Sequence, residues 1–116
     1  MLTFTSRRTF FTGALVLIGI AASLPAMGQA AKRGQEIYTA QKCSMCHSVA
    51  GKGGKASPLD GVGAKLSADD IKQWITHPKE AAAKANSTKK PPMPAKYGTL
   101  PPADLDALVA YMASLK

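Results

Sequence analysis

Cysteine is scarce in this chain: 116 residues contain two, Cys43 and Cys46. They stand three positions apart, so a disulfide between them would close almost no loop and add little stability. A disulfide scaffold is therefore excluded. Acids are also few, seven against fifteen Lys and Arg, for a formal net charge of +8. A run long enough to span a bilayer is missing as well. The longest apolar stretch, Phe10 to Leu24, falls short of the roughly 20 residues a spanning helix needs. Nor does strand-type alternation surround the cysteines, which removes the βαβ setting of a thioredoxin-like redox pair. The few aromatics, three Phe, three Tyr and one Trp, do not interleave with basic residues. That argues against a nucleic-acid surface.

The first thirty residues have the order of a secretory signal. Met1 to Phe11 carries Arg7 and Arg8 and no acid, the apolar stretch follows, and Ala26-Met27-Gly28 or Gly28-Gln29-Ala30 places small residues at a cleavage site. Residues 1–30 are thus expected to be removed on export. Membrane association is expected only if this segment stays on as an anchor. Cleavage after Ala30 leaves residues 31–116, one domain of 86 residues. Without Arg7 and Arg8 it holds thirteen basic residues against seven acids, a net charge of +6. A domain this small does not easily stabilise itself by apolar burial alone. With no disulfide to staple it, a cofactor is the candidate for the missing core.

Cys43-Ser44-Met45-Cys46-His47 is the pattern of c-type haem attachment. On one helical turn the two thiols can reach the two vinyl groups on one porphyrin edge and form thioethers. The adjacent histidine then rises beneath the iron as its proximal ligand. A zinc site made of Cys43, Cys46, His47 and His77 is the competing reading. It would crowd three ligands into five residues, which suits a tetrahedral centre poorly.

Around this motif the sequence resembles the class I c-type cytochromes over about residues 32–116. Gly34-Gln35-Glu36-Ile37-Tyr38 leads into the motif, and Leu105, Leu108, Val109 and Met112 form one apolar stripe on a closing helix. The resemblance implies that these first and last helices cross at Gly34, with Tyr38, Leu108 and Tyr111 packed there. It implies an all-α fold, three to four helices around one covalently bound haem c. It also implies a distal methionine in a proline loop before the last helix. Lys90-Pro91-Pro92-Met93-Pro94 matches that loop, so Met93 is expected opposite His47, with His77 as the alternative ligand. Met45 lies inside the attachment turn and Met112 reads as core. In such cytochromes a carbonyl of a proline loop holds the proximal histidine. Ser57-Pro58-Leu59-Asp60-Gly61 resembles that loop, which makes the Pro58 carbonyl the expected partner of His47.

With His47 and Met93 both bound, no position stays open for oxygen or peroxide, so the expectation is single-electron transfer rather than enzymatic catalysis. Ser67-Ala68-Asp69-Asp70 reads as a helix start with a serine cap, and Ile71, Trp74 and Ile75 as that helix's apolar face. Lys52-Gly53-Gly54-Lys55 reads as a flexible turn, and Lys79 to Pro92 as a short helical turn followed by a loop. Lys42, Lys52, Lys55, Lys89, Lys90 and Lys96 flank the segments expected to frame the haem edge. The partners expected are redox proteins with acidic docking patches, met in the periplasm.

Overall fold

The chain, analysed as a computed structural model, is described over residues 26–116. The expected signal lies outside these residues except for positions 26–30. Those are helical and run on into α1, Ala26–Ala40. Four more helices follow: α2 Val62–Lys65, α3 Ala68–Thr76, α4 Pro78–Lys84 and α5 Pro102–Ser114. Four of the five have seven residues or more, in keeping with the expected three to four, and α2 is a single turn. None of the helices among the described residues is long and apolar enough to cross a membrane.

The core forms where α1 meets α5. Gly34 is buried at the crossing, and a Cβ there would overlap the carbonyl of Ala107 and come within 2.7 Å of the Tyr111 Cβ. The missing side chain is what lets the two backbones approach. Ile37 and Tyr38 from α1 then meet Leu105, Leu108, Val109, Tyr111 and Met112 from α5, all buried. Tyr38 and Tyr111 stand edge to face with ring centroids 5.6 Å apart. That geometry suits the ring quadrupoles and adds about 0.5–1.5 kcal/mol beyond the area buried. Arg33 spans the same crossing to Asp104 at 3.4 Å, but the pair is exposed and counts for little.

α3 leans on this pair of helices through Ile71 and Ile75. Its start is capped by Ser67, whose hydroxyl oxygen accepts from the Asp70 N–H at 3.1 Å and donates to the Asp70 carboxylate at 2.8 Å. The expected cap is present, with the acid bonded to the serine hydroxyl. That hydroxyl bond holds the Asp70 carboxyl below its usual range. His77 ends α3 and precedes Pro78, which opens α4. Proline is tolerated there because a first-turn N–H has no helical partner to lose.

The departure from an all-helical chain is a small sheet, β1 His47–Val49 between β2 Lys52–Gly53 and β3 Ser57–Pro58. β1 runs antiparallel to β2 and parallel to β3. The segment read from sequence as a flexible turn therefore contains a paired strand. Gly53 explains how: its φ of +114° is open to glycine, and a Cβ there would overlap the His47 carbonyl oxygen.

Candidate functional site

The site begins where α1 ends. Lys42, in a left-handed conformation, turns the chain into a 3₁₀ turn over Cys43–Met45. The Met45 N–H reaches the Lys42 carbonyl at 3.0 Å, and the Cys46 N–H reaches the Cys43 carbonyl at 3.2 Å. This puts both cysteines on one tight turn, with His47 immediately after it as the first residue of β1. Cys43 is half-buried against the core and Cys46 is exposed, and neither forms a disulfide. Burial pushes the Cys43 thiol up. A dithiol redox centre or a thiolate nucleophile works with a lowered value, the opposite direction.

His47 is held from three directions. Its Nδ1 lies 2.9 Å from the Ser57 carbonyl oxygen. A carbonyl can only accept, so Nδ1 is the donor in this bond, which leaves Nε2 as the nitrogen available to a metal. Its own carbonyl accepts the Tyr38 hydroxyl at 3.2 Å. Gly53 closes the third side, and the Gly54 N–H ties the segment to the Ser44 carbonyl at 2.8 Å. The acceptor for Nδ1 is Ser57, one residue before the expected Pro58. The shift follows from strand register, because His47 pairs directly with Ser57 across the parallel ladder while Pro58 faces Ser48. Sequence alone showed the proline loop but not this pairing. Asp60 finishes the corner, its carboxylate accepting the Ala50 N–H at 2.7 Å where Ala50 takes φ +52°.

Met93 sits between Pro92 and Pro94 outside any helix or strand, half-buried against the same hydrophobic core that Cys43 touches. The 3₁₀ turn Ala95–Thr99 follows, and Gly98 lies close on the Thr76 backbone of α3. Of the other described methionines, Met112 is 7% exposed within the core, while Met27 and Met45 are 81% and 75% exposed. Met93 alone is neither locked into the core nor free in solvent. His77 is exposed at the end of α3, its Nδ1 beside the Thr76 hydroxyl at 2.8 Å. Among the described residues no three His, Cys, Asp or Glu side chains converge as metal ligands, so the zinc reading gains no support.

Trp74 does not join the core with Ile71 and Ile75. It is half-buried along a groove of about 590 Å³ between α3 and α4, with Leu66, Asp70, Glu80 and Lys84 on its walls. The six flanking lysines, Lys42, Lys52, Lys55, Lys89, Lys90 and Lys96, are all exposed.

A family model for cytochrome c matches residues 31–116. The chain belongs to the cytochrome c family. No curated protein and no solved structure matches it. Cytochromes c carry haem iron and transfer electrons, and this cytochrome c is a haem-based electron-transfer protein in that sense. Its donor set fits the group. Two thiols share one turn, and an imidazole with a free Nε2 is oriented by its second nitrogen, as metal-bound histidines commonly are. Met93 offers a half-covered thioether packed on the same core as Cys43. Leu59, Leu66, Tyr97 and Leu100 also pack on the core while staying only partly buried, which is surface a large apolar group can cover.

Proposed function

We propose that this cytochrome c is an exported, periplasmic carrier of single electrons, and not an enzyme. It would hold one haem c covalently through Cys43 and Cys46, with His47 and Met93 as the axial iron ligands. When bound, that haem supplies an iron that cycles between Fe(III) and Fe(II). The observation that carries the reading is the His47–Ser57 hydrogen bond at 2.9 Å, next to the cysteine turn. It orients the ring, sets its tautomer and makes Nε2 a better donor.

Met93 contributes a soft thioether, which favours the ferrous state relative to a second histidine. With both His47 and Met93 holding the iron, no position would stay open for oxygen or peroxide. The prolines on either side of Met93 restrict its backbone, so the loop is expected to keep one shape through an electron-transfer cycle. The exposed lysines support docking to redox partners that present acidic patches. Such attraction raises the association rate and weakens with salt. Export rests on the basic, apolar and small-residue order of residues 1–30.

An optical spectrum of the purified protein, oxidised and reduced, tests the site. The reading predicts low-spin iron, thioether-linked haem bands and a weak near-infrared band from thioether-to-iron ligation. High-spin iron with rapid carbon monoxide binding by the ferrous protein would overturn the ligand set and favour peroxidase-like chemistry. Mass spectrometry of the mature chain tests export separately: a first residue near Ala31 is expected, and an intact Met1 would contradict cleavage.

A further inference from the structure

The loop that carries Met93 is barely attached to the rest of the molecule. Pro91, Pro92 and Pro94 have no N–H to donate. The remaining amide groups from Thr88 to Met93 make one contact, from the Lys89 N–H to the neighbouring Ser87 hydroxyl at 3.5 Å. Among the described residues, one hydrogen bond leaves Thr88–Met93 for another element. It runs from the Lys89 Nζ to the Ala56 carbonyl at 2.8 Å, across 33 positions of sequence.

The place where it lands matters more than its strength. Ala56 precedes Ser57, whose carbonyl takes the His47 Nδ1 proton. Two successive carbonyls thus receive one group from each side of the site: Ser57 holds the histidine, and Ala56 holds the lysine four residues before the methionine. Proline stiffness sets the shape of the Met93 loop but does not fix its position on the protein. Packing of Met93 on the core holds one end, and the lysine bond positions the other.

We infer that Lys89 is a positioning residue that latches the Met93 loop to the Ala56–Ser57 segment and so limits how readily Met93 leaves the iron. This rests on Met93 being the distal ligand. The role differs from docking an acidic partner, because the acceptor is a neutral carbonyl. A hydrogen bond from a charged group to a carbonyl depends on short-range contact, whereas attraction between surface charges is screened by salt. The two roles of the side chain can therefore be separated by ionic strength.

The test uses the haem-loaded protein and imidazole at about pH 8, where the probe is largely neutral. At saturating imidazole, the rate at which the near-infrared thioether band disappears reports the opening of the Met93 loop. Lys89→Gln is expected to raise that rate about threefold to tenfold, the range for one modest hydrogen bond. Lys89→Arg, which keeps a charged donor, should restore a rate close to that of the parent protein. Lys79→Gln, which removes a charge from α4, should leave it unchanged. The Lys89→Gln effect should persist in high salt, and its disappearance there would replace the latch with a charge effect. An unchanged rate in Lys89→Gln, with the band present in the parent, overturns the latch. If the parent lacks the band, the Met93 assignment fails on its own. The latch is then read from cleavage of residues 86–93 by a protease of broad specificity: faster cleavage in Lys89→Gln upholds it, and equal cleavage refutes it.

Discussion

Between Cys43 and Asp60 the backbone is tied at almost every turn, whereas between Thr88 and Pro94 it is tied hardly at all. The first region has a 3₁₀ turn, two strand pairings, the Tyr38 and Asp60 side-chain bonds and a glycine seated against the His47 carbonyl. The second has three prolines and one lysine bond. The contrast follows from composition. Gly51, Gly53 and Gly54 let the early segment fold back on itself and pair its amides. Pro91, Pro92 and Pro94 deny the later segment the donors such pairing needs. His47 is thus held by hydrogen bonding, and Met93 by restricted torsions, packing and the Lys89 bond.

Substitutions can break that comparison at graded levels. The largest effect should come from Cys43→Ala with Cys46→Ala, which removes the proposed attachment common to both sides. The double variant should lose most of its far-UV helical signal, because α1 and α5 alone make a thin core for a domain this size. A stable, folded, colourless double variant would refute that. Next comes Gly53→Ala, aimed at the tied region. A side chain at φ +114° and in conflict with the His47 carbonyl should cost about 3 kcal/mol, read from urea unfolding.

Met93→Ala breaks the loosely tied side alone. Haem should stay attached, the near-infrared band should vanish and the reduction potential should drop. Stability should fall by about 1–2 kcal/mol, less than for a fully buried methionine, since Met93 is half-covered. An unchanged band would point to another ligand. The smallest effect is expected for Tyr38→Phe, which removes one bond to the His47 carbonyl and should cost about 1 kcal/mol at neutral pH.

Tyr38 also gives that variant a pH signature. Burial raises the folded-state phenol above its ordinary value. A group whose folded pKa is raised contributes stability that is present below the unfolded pKa and lost as pH rises through the folded one. The parent should therefore weaken on the alkaline side of the ordinary phenol range, and Tyr38→Phe should weaken less steeply there. Denaturation midpoints measured across that range check the sign. Tyr111, raised by burial as well, should leave part of the slope in place.

Much of this arrangement was legible in the residues. The Gly34 crossing stands where the family resemblance placed it, while the apolar stripe of α5 and the Ser67 cap stand where local pattern put them. Those two are short-range signals: a spacing of three or four, and a cap. What escaped was pairing between segments. The small sheet depends on which carbonyl lies opposite which amide, and register shifted the His47 acceptor from Pro58 to Ser57. A two-residue strand has no periodicity to detect, and a Gly-Gly step looks like slack in any sequence. A glycine at 53 was the one hint available, and it has meaning only beside the His47 carbonyl. Likewise nothing in Lys89 marks it apart from its neighbours until Ala56 lies within reach.

The α1–α5 crossing also has a consequence in time. Arg33 and Asp104, which meet across it, are 71 positions apart in the chain, so the partner of α1 is synthesised long after Cys43 and Cys46. Until α5 exists, the apolar face of Ile37 and Tyr38 has no lid, because the residues that cover it lie on that helix. Chemistry on the two thiols can therefore proceed on an open chain. The closing helix then covers the Ile37 and Tyr38 face.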